Sequence, residues 1–279
     1  MRFAKGHGLG NDFILVTEDE FPEPAPAWAR RLCDRHEGIG GDGVLVYALQ
    51  EGGVRMRLLN ADGSDGEVSG NGVRCLAAHA VSRLGVVRHH VIWTPVGPRP
   101  VEVEELSGRF RVATDLGPAR LRSDLIPVAL DPVREFVIDC PLQVGNESVL
   151  VTATSLGNPH CALFYDEEAD DATLRRLGPW LETHPFFPNR TNVEFVTVRS
   201  RSELRVRFWE RGVGYTRASG TGAASAAVAA MMKGLCDRRV RVVCDGGPLD
   251  IAWPEGGNVR QVGEVELLFE GTWKAPGGP

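Results

Sequence analysis

Asn60-Ala-Asp-Gly-Ser-Asp-Gly-Glu-Val-Ser69-Gly70-Asn71-Gly72-Val-Arg-Cys75 decides the reading, because a second stretch repeats its plan 150 residues later. That echo is Glu210-Arg211-Gly-Val-Gly-Tyr-Thr-Arg-Ala-Ser219-Gly220-Thr221-Gly222. Each is a glycine-rich polar loop ending in Ser-Gly-x-Gly and followed by a run with helical character. After Ser69, the residues Val73, Leu76, Ala77, Ala80, Val81 and Leu84 fall at helical apolar spacing. After Ser219, residues 223–232 form an alanine-rich run suited to close packing. Ser69 and Ser219 are thus expected where a helix begins, beside free backbone N–H groups and the positive end of the helix dipole. One such place can hold an anion, and two can hold a carboxylate with a polar side chain on either side of it.

Working outward, strands are expected at Arg2–Ala4 and Phe13–Val16 around a glycine-rich loop that offers Asn11. A short helix at Trp28–Arg35 is followed by strands Val44–Tyr47 and Val54–Leu59, the latter delivering Asn60 to the first loop. Residues 91–94, 101–105 and 109–115 alternate like half-buried strands. The second half repeats this plan: strand Val149–Ser155, the turn through Asn158 and His160, strand Cys161–Phe164 and helix Ala172–Leu181. Strands follow from Asn192 and over Glu203–Trp209, which carries Glu210 into the second loop. From Asn11 to Asn158 is 147 residues and from Ser69 to Ser219 is 150, so an internal duplication is inferred. The expected fold is α+β, with two pseudosymmetric lobes, each a mostly antiparallel sheet wrapped around a central helix. The lobes are placed at 1–115, completed by a C-terminal strand at about 265–279, and at 116–264. A cleft between them is expected to receive both helix N-termini.

Bulk properties exclude several classes. A length of 279 residues accommodates two domains with a core each. A net charge of −6 is wrong for nucleic-acid binding, and no apolar run approaches the roughly 20 residues of a membrane span. Six scattered cysteines without Cys-x-x-Cys spacing fit a reduced cytoplasm. No lysine lies in either central loop, which disfavours pyridoxal chemistry. The histidines show no metal-ligand spacing beyond His89-His90, read as a surface loop. No metal and no cofactor are therefore expected.

With these residues in place, the chain resembles the diaminopimelate epimerases. The resemblance rests on Gly-x-Gly-Asn-Asp-Phe (8–13), Gly-Ile-Gly-Gly-Asp-Gly (38–43), Asn-Ala-Asp-Gly-Ser (60–64) and Gly-Asn-Gly-Val-Arg-Cys (70–75). It continues through Gly-Asn-Pro-His (157–160), Asn-Val-Glu-Phe (192–195) and Glu-Arg-Gly-Val-Gly (210–214), in order over nearly the whole chain. It implies a cofactor-independent isomerase that interconverts LL- and meso-diaminopimelate for lysine and cell-wall synthesis, in the two-lobed fold above, commonly as a homodimer. Inverting a carbon requires a proton acceptor on one face and a donor on the other. In the family both are cysteines, whose acidity helix N-termini enhance. At those positions this chain has Ser69 and Ser219.

The resemblance further implies that His160 and Glu210 tune the acid–base pair. Here they would activate the serines or act as bases themselves. Asn11, Asn60, Asn158 and Asn192 match substrate-holding asparagines, and Arg211 the arginine for a distal carboxylate. Gly70, Asn71, Gly220 and Thr221 would present backbone N–H groups to the reacting carboxylate. Gly43 stands where some members carry glutamine, and Tyr215 where glutamate is common. Two alternatives stay open: a racemase or isomerase of another amino acid, and a ligand-binding variant whose hydroxyls only hydrogen-bond. Taken alone, each asparagine reads as a turn residue and His160 as a structural histidine.

Overall fold

The computed structural model describes residues 1–66 and 68–274. The chain forms two compact units: Met1–Asp115 with the chain from Val262 onward, and Leu116–Gln261. The first unit runs β1 (Arg2–Gly8), β2 (Asn11–Thr17), α1 (Ala25–Cys33), β3 (Gly43–Gln50), β4 (Gly53–Asn60), β5 (Asp65–Gly66), α2 (Gly70–Arg83), β6 (His89–Thr94), β7 (Gly97–Leu106) and β8 (Arg109–Asp115). The second runs β9 (Val137–Val144), β10 (Glu147–Ser155), β11 (Pro159–Tyr165), α3 (Asp171–Glu182), β12 (Asn192–Ser200), β13 (Glu203–Glu210), β14 (Gly214–Thr216), α4 (Gly220–Met232), β15 (Arg239–Cys244) and β16 (Gly247–Ala252). The last strand, β17 (Arg260–Thr272), returns to the first unit by pairing with β1 and β8. Residues 275–279, the end of the expected C-terminal strand, lie outside the described residues.

Pairing in the first unit closes a ring. The order is β1, β2, β3, β4, β6, β7, β8, β17 and back to β1; β2–β3 and β4–β6 are parallel, and β1–β2, β3–β4, β6–β7, β7–β8 and β17–β1 are antiparallel. Inside it lies α2, buried without interruption from Asn71 to Ala80. Leu15, Leu45, Met56, Leu58 and Ile92 pack with its Val73, Leu76 and Ala77. The parallel strands β2 and β3 are covered on both faces. Ile14, Val16, Val44 and Val46 point the other way, against Ala29 and Leu32 of α1. That double burial explains why these strands read as unbroken apolar runs.

The second unit repeats the topology strand for strand: β10–β11 antiparallel, β11–β12 parallel, β12–β13 antiparallel, β13–β15 parallel and β15–β16 antiparallel. In it α3 takes the place of α1 and α4 that of α2. Buried on every side from Ala223 to Met231, α4 is apolar along that stretch except for Ser225, as suits an interior helix.

Local differences from the sequence reading have local causes. The glycine-rich stretch 6–12 is mostly strand, with only Leu9 and Gly10 left as the turn, because Gly6 and Gly8 pair in the ladder. The central helices start at Gly70 and Gly220, one turn earlier than their apolar spacing shows, because the serine caps permit glycine in the first turn. Strand β9 was not expected; its Pro141 and polar outward residues mask an alternating burial pattern. The surface-loop reading of His89-His90 is corrected. Both residues open β6, and His90 is buried with Nδ1 2.9 Å from the Val87 carbonyl.

Candidate active site

In the second unit, Ser219 is the N-cap of α4. Its extended backbone (φ −128°, ψ 125°) turns the hydroxyl back so that Oγ accepts the Gly222 N–H at 3.3 Å. The same hydroxyl donates to Glu210 Oε2 at 2.9 Å. Glycine is required three residues on, since a Cβ at Gly222 would lie 2.9 Å from Ser219 Oγ and 3.0 Å from Phe208. Burial pushes the Glu210 carboxyl above the usual carboxylate range, against the opposing pull of its hydrogen bonds and of His160. A serine proton thus faces a carboxylate that is a stronger base than a solvated one.

The alternation of β11 and β12 aims His160 and Glu194 at one another, at 2.6 Å through Nδ1 and Oε1, with 1% of either side chain exposed. The opposite ring nitrogen, Nε2, lies 3.0 Å from Asn158 Oδ1. Asn158 Nδ2 reaches Thr221 Oγ1 at 3.5 Å, linking the turn before β11 to the first turn of α4. Cys161 points to the opposite face, in the core with Leu163, Phe195 and Leu177, and burial raises its thiol well above its ordinary value.

Asn192 is buried, and both ends of its amide engage backbone. Its Nδ2 donates to the Pro159 carbonyl at 3.0 Å and its Oδ1 accepts the Arg211 N–H at 3.0 Å. The loop carrying Arg211 is also held by Glu182, which accepts the Gly212 N–H at 2.8 Å and the Trp209 Nε1–H at 2.8 Å. Arg211 Nη1 donates to the Asn189 carbonyl at 3.1 Å. Gln261, fully buried, donates to the Gly220 carbonyl at 2.6 Å. Tyr215 donates to Asp245 Oδ2 at 2.8 Å beneath Arg207. Tyr215 thereby fixes β14.

The first unit reproduces the cap, with no carboxylate on the serine among the described residues. Ser69, half-buried, accepts the Gly72 N–H at 3.1 Å at the start of α2. Around it stands an amide chain. Asn71 donates to Asn11 Oδ1 at 3.1 Å, Asn11 donates to Asp42 Oδ2 at 2.8 Å, and the buried Arg74 donates to Asn71 Oδ1. Asp42 and Asp12 share the Arg35 guanidinium, and Asp12 also pairs with the buried Lys5 at 2.7 Å. Burial would raise the Asp12 carboxyl, but Arg35 and Lys5 hold it well below the usual range. Asn60 is occupied within its own turn, donating to Ser64 Oγ at 3.0 Å. At Gly43 a Cβ would meet the Leu59 carbonyl at 2.8 Å, so this backbone does not admit a side chain there unshifted.

Sequence reasoning missed Glu194, Glu182, Asp42, Arg74 and Gln261 as members of these networks. Glu194, Asp42 and Arg74 lie inside quoted motifs, and an acid at an inward position of an otherwise apolar strand is the signal that marks Glu194. Among the described residues no group of three or more His, Cys, Asp and Glu side chains is placed to hold a metal ion. No helix among them is long and apolar enough to cross a membrane.

A strand-wrapped helix in each half is an architecture shared with several solved structures. Solved structures that match are a hydroxyproline epimerase from Agrobacterium vitis (TM-score 0.69, 12% identity, covering 97% of this chain and 90% of that one) and a PhzF-family phenazine biosynthesis protein from Bacillus anthracis (TM-score 0.67, 12% identity, 97% of each chain). At those identities the likeness is one of fold. The chain belongs to the diaminopimelate epimerase family, whose profile matches residues 3–122 and 152–268. It is 43% identical over 279 residues to the diaminopimelate epimerase of Pelotomaculum thermopropionicum, covering 98% of this chain and 99% of that protein. Its identity to the Synechocystis sp. enzyme is also 43%, over 97% and 98% of the two chains.

Proposed function

We propose that this chain is a cofactor-independent diaminopimelate epimerase that moves the α-proton with hydroxyl and carboxyl groups in place of thiols. The observation that carries the reading is the Ser219–Glu210 hydrogen bond at the capped start of α4. It stands beside family membership over nearly the full chain. A free cysteine titrates near ~8.5, and a nearby positive dipole makes it a thiolate at neutral pH. A serine hydroxyl is a far weaker acid and needs an adjacent base. Glu210 supplies one to Ser219, and His160 stands near enough to act on Glu210 electrostatically. The reading requires Ser69 to serve one face of the α-carbon and the Ser219–Glu210 pair the other. Backbone N–H groups of Gly70, Asn71, Gly220 and Thr221 would take the reacting carboxylate, where they oppose developing negative charge. Asn11, Asn60, Asn158 and Arg211 would hold the remaining groups, with Asn192 bracing the Arg211 backbone. A cytoplasmic homodimer belongs to the same reading and is supported by the family alone.

Incubation with LL-diaminopimelate in D2O, followed by NMR, tests it. Deuterium is expected at the α-carbon with meso product appearing, and Glu210→Gln is expected to slow this by about 10²-fold. No exchange by the chain, with exchange by a Ser69→Cys/Ser219→Cys version, would overturn turnover by serines while keeping the site. No exchange and no binding by either would overturn the substrate.

A further inference from the structure

The two repeats differ at one inward-facing pair. Phe13 and Gly43 are cross-strand partners in the first unit, as His160 and Asn192 are in the second. Two residues further along β3 and β12, on the same side, stand Leu45 and Glu194. Position for position, Phe13 and Leu45 therefore correspond to His160 and Glu194. Where one repeat has two apolar side chains in its core, the other has an imidazole and a carboxylate, each 99% removed from solvent. Oε2 of Glu194 finds no hydrogen-bond partner among the described residues. Burying such a pair usually gains no stability over apolar residues of similar size. The first unit shows that this position of the fold accepts apolar residues, so packing does not demand the pair.

We infer that Glu194 is a positioning residue for His160: it holds the Nδ1–H by charge-assisted hydrogen bonding, so that Nε2 is the nitrogen that gains and loses a proton beside Asn158. The inference rests on the proposed use of His160 in the isomerase site. A carboxylate on Nδ1 fixes the ring's tautomer and orientation. Asn158 Oδ1, also an acceptor, faces the other nitrogen at 3.0 Å. Among the described residues, Glu194 from β12 is the titratable side chain in contact with the ring, and Glu210 from β13 is close enough to feel its charge. None comes from α4, whose sequence is Gly-Thr-Gly-Ala-Ala-Ser-Ala-Ala-Val-Ala-Ala-Met-Met. Cys161, next in the chain, points into the opposite core.

The test compares the unaltered chain with Glu194→Gln and Glu194→Leu, all carrying 15N-labelled histidine. Long-range 1H–15N spectra across pH are expected to show Nδ1 protonated throughout in the unaltered chain, with titration at Nε2. Glu194→Gln retains an acceptor, so it should keep that tautomer and most of the deuterium exchange. Glu194→Leu should give a mixture of tautomers and exchange about 10- to 100-fold more slowly. A mixture of tautomers in the unaltered chain, or an unchanged tautomer in a folded Glu194→Leu, would overturn the inference. If the unaltered chain exchanges no α-proton, the proposed function fails, while the imidazole spectra still decide the role of Glu194.

Discussion

Ser219 and Ser69 cap equivalent helices, but their removal should not be equivalent. Either serine-to-alanine change deletes a cap, at about 1 kcal/mol. Ser219→Ala also takes a hydroxyl donor from Glu210, so it should lower the urea midpoint further than Ser69→Ala. The pH dependence has a definite sign. Because burial raises the Glu210 carboxyl, the folded chain retains a proton that the unfolded chain has already released, and stability falls as pH rises through that window. Glu210→Gln carries no such loss. It should gain stability relative to the unaltered chain as pH climbs above roughly 4.3, the ordinary glutamate value, and show no advantage below it. Urea midpoints between pH 4 and 8 measure this; parallel curves would mean that Glu210 is not desolvated. At this scale the sequence was uneven. The serines were legible because a capping residue followed by Gly-x-Gly has a physical signature. Glu194 and Glu182 were not, since a carboxylate becomes informative only once its strand or helix is known to face inward.

Elements were more legible than residues where burial leaves a pattern. The apolar runs of β2 and β3 and the alanine-rich α4 announced themselves, whereas β9, with a proline and a polar face, did not. The packing of α3 also escaped a reading based on spacing. Gly178 lies where α3 crosses β13, and a Cβ there would stand 2.5 Å from Cγ and Cδ2 of Trp209. Trp209 in turn donates to Glu182, which holds the Gly212 N–H of the loop carrying Arg211. Gly178→Ala should therefore do two things despite adding one methyl group outside the site. Overpacking should lower stability by about 1–3 kcal/mol, read from the urea midpoint. The displaced ring should also loosen the 210–214 loop, visible as faster hydrogen exchange at the Gly212 amide. An unchanged midpoint and amide would show that α3 accommodates the methyl by moving as a body.

For the whole chain, the duplication was legible as two nearly equal spacings, and the topology repeats it strand by strand. The repeats have divided their labour. The first keeps apolar residues at Phe13 and Leu45 and neutral amides near its serine, while the second concentrates His160, Glu194 and Glu210. A consequence reaches every cysteine in the molecule. With serine at both central positions, the six thiols that remain, Cys33, Cys75, Cys140, Cys161, Cys236 and Cys244, are all buried. Burial pushes Cys33 and Cys236 up to about 11 and Cys75 to about 12, so hardly any thiolate exists at neutral pH, and the thiolate is the reactive species. The native chain at pH 7.5 should therefore resist iodoacetamide. Mass spectrometry is expected to find none of the six alkylated in the folded protein and all six in urea, with α-proton exchange unaltered by the reagent. The Ser69→Cys/Ser219→Cys version should behave oppositely, taking up label at the helix caps and losing exchange as it does. Loss of exchange in the unaltered chain, in step with a single alkylation, would mean instead that one of its own thiols, with Cys161 beside His160 the first to map, does the proton transfer that we give to Ser219 and Glu210.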